Sequence, residues 1–211
     1  MLAIAGGKGG VGKTTTALGL AAALPGRPLV VDADRDMPDL HALAGTTRVG
    51  AEDAELSERV QSVPDRRCHV LPVPAYDLPS PGRRLVRVRS AWADGDDTPP
   101  ILVDTPAGAG VDAVAPMEAV DGVVLVSTAC APALRDAAKT ASMARAVGTP
   151  VVGAVLTRTT VRPPKAADLL GCPVLGAVPE VADRPLEDGR VRERYEAAAS
   201  GLLDAAETFE P

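Results

Sequence analysis

The sequence predicts an α/β fold: an open, mostly parallel sheet with helices on both faces. Three observations carry that prediction. Apolar runs of roughly four to six residues recur along the chain without polar alternation, as strands buried on both faces require. Stretches of helical character separate them, and alternation of strand and helix builds a parallel sheet. A glycine-rich segment joins the first strand to the first helix, at the carboxyl end of a strand, where such folds hold ligands. No internal repeat is present and no linker is long enough to divide the chain. Residues 1–211 are therefore expected to form one domain, long enough to bury a core without staples.

The elements follow in order. Residues 2–5 are a short apolar run ending in glycines, and residues 14–24 form an Ala- and Leu-rich helix. Residues 29–31 are a second buried strand that ends at Asp32. Residues 51–62 read as an exposed helix, and 69–73 as a strand before a Pro-rich turn. A helix is expected over 83–93; the acidic loop 94–100 then leads into the strand 101–103, which ends at Asp104. Residues 123–127 form another strand, followed by a helix over 133–147. Residues 151–156 and 174–178 are further strands with a helix between them, and a helix over 189–208 closes the chain.

Composition narrows the possible functions. Hydrophobic residues make up 46% of the 211 and charged residues 24%, the balance of an ordinary globule. Aromatic residues make up only 2%, namely Tyr76, Trp92, Tyr195 and Phe209. The core must be aliphatic, and recognition of single strands by stacked bases lacks its platforms. The net charge of −6 leaves nonspecific nucleic-acid binding to a local patch. Cys68, Cys130 and Cys172 lie far apart without a CxxC pair, so neither a zinc site nor a disulfide framework is implied. Met1 runs straight into an apolar strand without a basic leader. No apolar run reaches the roughly 18 residues of a membrane span. A reduced cytoplasmic setting is the expectation.

The chemistry concentrates in Gly7–Thr14, GKGGVGKT, which satisfies GxxxxGK[ST]. Gly7, Gly9, Gly10 and Gly12 let the backbone curl so that its N–H groups, with that of Val11, point at phosphate oxygens. Lys13 supplies a point charge to the β- and γ-phosphates, the Thr14 hydroxyl is suited to magnesium, and Thr15 to the α-phosphate. A second lysine, Lys8, stands inside the loop. With KGGVGKT the sequence resembles the deviant Walker A branch of P-loop ATPases, the MinD/ParA family, and is most similar to its MinD-like members. The resemblance implies a P-loop fold of the SIMIBI type, binding of ATP and Mg2+, and an ATP-dependent homodimer. In that family the additional lysine reaches the partner's nucleotide, so the resemblance gives Lys8 a role in trans. Lys8 in contact with its own nucleotide, or with solvent alone, is the other reading.

The resemblance extends to three acidic residues. VVDADRDMPDL fits the family's hhDxD element with Asp32 and Asp34. Asp34 looks like the residue that positions the attacking water, and Asp32 lies nearer the magnesium sphere. Asp39 stands where MinD relatives often have Asn, and Asp36 reads equally as a loop cap. ILVDTPAG resembles the family's Walker B and switch II segment, so Asp104 would hold magnesium through water, ahead of Pro106, Ala107 and Gly108. A lone Asp after a strand also caps turns; its order after the loop and Asp32 makes the case. The segment after Val126 is similar to that of MinD, including Arg135 and Asp136. VLTRTT places Thr157 and Arg158, and AVPE places Pro179 and Glu180, in the family's adenine-side loops. The resemblance covers about residues 2–185.

Members of the family differ in what they organise. Iron–sulfur relatives need cysteines in a CxxC, or after Asp104, that this chain lacks; Cys130 reads as a small buried residue. The closing helix has an apolar stripe of Tyr195, Ala198, Ala199, Leu202, Leu203 and Ala206. Beyond Arg194 it carries no Lys or Arg, only acids, which argues against direct membrane binding and for core packing. Arg83, Arg84 and Arg87 are spaced to share one helical face. That face is either solvated and ion-paired or a docking surface for DNA or protein. The reading is a Mg-ATP-dependent, dimerising ATPase acting as a spatial-organisation switch, with Lys8, Lys13 and Asp34 catalytic and an activating or cargo protein as partner. The alternatives are a metabolic or metallochaperone-type P-loop enzyme, though His41 and His69 supply no metal cluster, and a nucleotide-binding regulator with negligible hydrolysis.

Overall fold

A computed structural model describes residues 1–48, 55–74, 81–92, 99–108 and 110–208. Eight strands form one sheet in the order β3-β4-β2-β5-β1-β6-β7-β8. They are β1 (Leu2–Ala5), β2 (Leu29–Asp32), β3 (Gln61–Val63), β4 (Cys68–Leu71), β5 (Ile101–Asp104), β6 (Gly122–Thr128), β7 (Val151–Thr157) and β8 (Val174–Val178). All neighbours pair in parallel except β3 with β4. The helices are α1 (Lys13–Ala23), α2 (Leu40–Ala44), α3 (Leu56–Arg59), α4 (Pro81–Trp92), α5 (Val111–Val114), α6 (Ala131–Ala146), α7 (Ala166–Leu170) and α8 (Gly189–Thr208). The order of strands reverses at β1, so the crevice at its carboxyl end is the switch point where open α/β sheets bind ligands.

Alternate residues of each strand feed two aliphatic cores. Ile4, Val30 and Val124 pack with α1 and α8 on one face. Ala3, Ala5, Val31 and Leu125 pack with α4, α6 and α7 on the other. One aromatic residue anchors the first core. Tyr195 of α8 is fully buried, its hydroxyl lies 3.2 Å from Thr16 Oγ1, and its ring occupies the place of a Cβ on Gly19. An apolar interior offers few partners for a hydroxyl, and the Thr16–Tyr195 bond satisfies this one while locking α8 to the helix that follows the glycine-rich loop. In α8 itself Val191, Tyr195, Ala198, Ala199 and Leu202 are buried, as a core-packing helix requires, whereas Leu203 is 41% exposed.

The structure corrects several boundaries. Of the expected helix over 51–62, residues 51–54 lie outside the described residues, and only Leu56–Arg59 is helical. Residues 61–63 form the antiparallel edge strand, with Ser62 opposite His69. Gln61 pins that strand by bonding both main-chain groups of Thr47, accepting from its N–H at 3.2 Å and donating to its carbonyl at 2.7 Å. β4 stops at Leu71 rather than at Val73 because Pro72 has no N–H to offer a ladder. α4 starts two residues early, on Pro81, whose fixed φ suits a first helical position. Ala93 and residues 94–98 lie outside the described residues. No helix among the described residues is long and apolar enough to cross a membrane.

Candidate phosphate and metal site

The glycine-rich loop runs from the end of β1 into α1. Gly12 has φ 94°, a left-handed conformation that disfavours other residues, and it releases the chain into the helix whose first turn closes with Thr16 N–H donating to Gly12 O at 2.9 Å. Gly7 is fixed by close approach: a Cβ there would lie 2.6 Å from the backbone of Asp136, so α6 rests directly on the loop. Val11 is buried and anchors the turn, while Lys8, Gly9 and Gly10 are exposed. Lys13 is only 8% exposed. The loop is braced from β7. The Thr157 hydroxyl donates to Val11 O at 2.7 Å, and the Arg158 guanidinium donates to Gly10 O from a backbone held at φ 54°.

Two carboxylates lie beside the loop. Asp32 ends β2 and Asp104 ends β5, and the parallel register sets them side by side; Asp104 is also the register partner of Ile4. Both are essentially fully buried. Asp32 Oδ1 accepts the Asp34 N–H at 3.1 Å, but Asp32 Oδ2 and Asp104 Oδ1 are buried without a hydrogen-bond partner. Burial pushes the Asp32 carboxyl up to about 7, against the Asp34 N–H and the charge of Arg84. Burial also pushes Asp104 up to about 8, against the nearby Thr14 hydroxyl and Lys13 and reinforced by Asp32. Unpaired buried carboxylate oxygens are costly, and a cation removes that cost. Thr14, Asp32 and Asp104 are hard oxygen donors, the set that suits Mg2+, which binds through one or two carboxylates together with phosphate and water. The residues present therefore fit Mg2+.

A pH dependence follows from these two groups. In the unfolded chain both titrate near 3.8. The folded protein thus holds protons that the unfolded chain releases, and stability falls as pH rises from about 4 to about 8. Without metal and nucleotide, the protein should melt at progressively lower temperature across that range. Asp32→Asn with Asp104→Asn should flatten the slope. An equal slope in the double variant would assign the effect to other groups.

The remaining predicted residues fall around this centre. Asp34 lies two residues beyond β2, half-buried, and accepts the Met37 N–H at 3.0 Å, so it, rather than Asp36, caps this turn. Asp39 accepts a hydrogen bond from Thr14 Oγ1 at 3.0 Å, a contact without a signal in the sequence. Thr15 follows Thr14 in the first turn of α1, half-buried. Arg158 and Pro179 follow the registered pair Thr157–Val178 of β7 and β8, on the other side of the loop. Lys8 is half-exposed, and its Nζ lies 3.0 Å from Asp136 Oδ2, while Lys139 binds the other oxygen, Asp136 Oδ1, at 3.1 Å. Among the described residues no group of three or more His, Cys, Asp or Glu is arranged for a metal. A cavity of about 990 Å3 runs along α1 beside Ala22, Leu43 and Leu186 and shares only Thr15 with the loop region. A smaller one of about 240 Å3 lies between Ala33, Arg35, Asp36, Pro106 and Asp112, next to the two carboxylates. The buried charge belongs to the strand ends, which marks them as the chemical centre.

Two expectations are overturned. Cys130 is exposed rather than buried. It is the N-cap of α6, beyond the end of β6, and its Sγ lies 3.3 Å from Thr128 Oγ1. That hydroxyl, the Ala133 N–H and the charge of Lys8 hold its thiol below the usual range. Arg84 does not share an exposed face with Arg83 and Arg87. Those two are exposed, whereas Arg84 is 8% exposed and donates to main-chain carbonyls of Asp32 and Pro72. The signal was present: Arg84, Leu85, Val88 and Trp92 follow the i, i+1, i+4, i+8 spacing of an inward stripe, and Leu85 and Val88 are buried with it.

Comparison with known proteins identifies the fold and the family. The model of the CobQ/CobB/MinD/ParA nucleotide binding domain matches residues 2–189. An uncharacterised ATP-binding protein of Methanocaldococcus jannaschii is 32% identical over 199 residues, which span 85% of this chain and 74% of that protein. The septum site-determining protein MinD of Pyrococcus horikoshii, solved with Mg-ADP, superposes with a TM-score of 0.82 at 25% identity, over 97% of this chain and 96% of that one. The cell division ATPase MinD of Pyrococcus furiosus gives 0.81 at 26% identity, over 96% and 98%.

Proposed function

The chain belongs to the CobQ/CobB/MinD/ParA nucleotide-binding domain family, and from that premise we propose that it is a Mg-ATP-dependent ATPase that dimerises on ATP. The cycle serves spatial organisation, of a division site, a chromosome or plasmid, or an organelle, in the cytoplasm. One observation carries this reading: a buried lysine and a half-exposed lysine, Lys13 and Lys8, share one phosphate loop beside two buried carboxylates with unpartnered oxygens.

The residues divide the work. Loop amides from Gly7 to Lys13, with Thr15, bind the phosphates, and Lys13 lies against the β- and γ-phosphates. Arg158 and Pro179 flank the base. Thr14, Asp32 and Asp104 hold Mg2+, which supplies neutralisation of phosphate charge when bound. Asp34 orients water towards the γ-phosphate. Lys8 leaves Asp136 for the partner's nucleotide, where a second cation offsets the charge that develops during transfer. Hydrolysis then releases the dimer and whatever it holds, and an activating or cargo protein sets the rate. The exposed Arg83 and Arg87 offer DNA a contact; Arg84, committed to the interior, does not.

Asp34→Ala tests the scheme. The variant should bind ATP with near-normal affinity, release phosphate about 10²-fold more slowly, and elute as a lasting dimer in ATP. A monomeric Asp34→Ala protein with full ATPase activity would contradict it.

A further inference from the structure

Among the described residues four charged side chains are buried: Lys13, Asp32, Arg84 and Asp104. Three belong to the phosphate and metal site. The fourth, Arg84, comes from α4, on the face of the sheet opposite α1. Its Nη1 donates to the carbonyl of Asp32, the last residue of β2. Its Nη2 donates to Pro72 O at 3.0 Å and lies 3.5 Å from Leu71 O, where the neighbouring strand β4 ends. A single guanidinium thus spans the carboxyl ends of two parallel strands.

We propose that Arg84 is a positioning residue for the metal site, fixing the end of β2 so that the free oxygen of Asp32 faces the cation. This rests on the reading of Asp32 as a magnesium-side carboxylate. The main chain of Asp32–Ala33 is clamped from both sides: Ala33 N–H donates to Asp104 O at 2.8 Å, and Arg84 holds the Asp32 carbonyl. Within the side chain, Oδ1 is committed to the Asp34 N–H while Oδ2 has no partner. The direction of Oδ2 is therefore inherited from the main chain, and Arg84 supplies one side of that clamp. The same clamp carries Asp34, whose N–H is aligned by Asp32. An arginine suits the task because its planar fork donates along several fixed directions from one centre, which an ammonium does not. Groups that orient metal ligands typically change metal affinity by about 10–100-fold when removed.

Binding of a fluorescent ADP, titrated with Mg2+ and repeated in EDTA, separates this role from a general brace. In Arg84→Met the affinity in EDTA should stay within about twofold of wild type, while the Mg2+ midpoint rises by about tenfold or more. Arg84→Lys, which restores charge but not the fork, should fall between the two. Midpoints unchanged in both variants, or equal losses of affinity with and without Mg2+, would overturn the proposal. A wild-type protein that binds ADP without Mg2+ dependence would remove the metal reading together with it; no ADP binding at all would remove the nucleotide reading first. Should both variants unfold, hydrogen exchange of residues 81–92 in the ADP-bound wild type decides. Mg2+ should slow it by about fivefold or more, on the scale of local opening, and unchanged exchange overturns the role.

Discussion

Lys13→Ala should abolish nucleotide binding at micromolar protein concentration. Lys13 is 8% exposed at the start of α1, so a phosphate bound beside its ammonium would meet it in a site with little water to screen the pair. Truncating one partner of a buried, hydrogen-bonded charge pair costs about 2–5 kcal/mol, or roughly 30-fold to several thousand-fold in affinity. The fold should survive, because the loop is held independently by Val11, Gly7 against α6, and the Thr157 hydroxyl. Isothermal titration of ATP with circular dichroism as a control measures both. Affinity within threefold of wild type would mean that Lys13 faces something other than phosphate.

Lys8→Ala should give the opposite pattern, with ATP binding retained and dimerisation and turnover lost. Lys8 is half-exposed, and its ion pair with Asp136 is solvent-accessible, a kind of pair that adds little to stability. The side chain is therefore free to change partners when a second nucleotide approaches. Asp136 keeps Lys139 as a remaining cation after Lys8 departs, so the exchange strands no unpaired charge. Turnover should fall by about 10²–10³-fold, the usual effect of removing one donor to developing charge. Thermal stability and the affinity of the monomer for ADP should hardly change. Wild-type turnover in Lys8→Ala would assign the lysine to its own nucleotide or to solvent.

What was legible in the sequence is what depends on contiguous residues. The loop announces itself because glycine freedom, a lysine and a hydroxyl must follow one another along the chain, and the inner strands because burial on both faces leaves continuous apolar runs. The closing helix was legible to its ends, residues 189–208. Features set by distant partners were not. β3 is three residues long with only Val63 buried, so its identity comes from pairing with β4 and from Gln61 bonding Thr47. Arg84 was assigned outward because arginine is usually exposed, against its place in the stripe of Leu85, Val88 and Trp92; that stripe shows which way it faces, but its partners, the carbonyl ends of β2 and β4, meet only in three dimensions. Cys130 follows an apolar strand and so resembled core, but a strand that ends at a ligand crevice delivers its next residues to the surface. The Thr14–Asp39 bond likewise joins residues 25 apart.

The roles proposed for Lys8, Lys13 and Asp34 all require that ATP join two copies of this chain. Light scattering on a sizing column, with Mg2+ and either ATP or ADP in the running buffer, measures it directly. A mass of about two chains in ATP and one chain in ADP is the predicted result. The same mass in both nucleotides, with ATP demonstrably bound, would contradict the account.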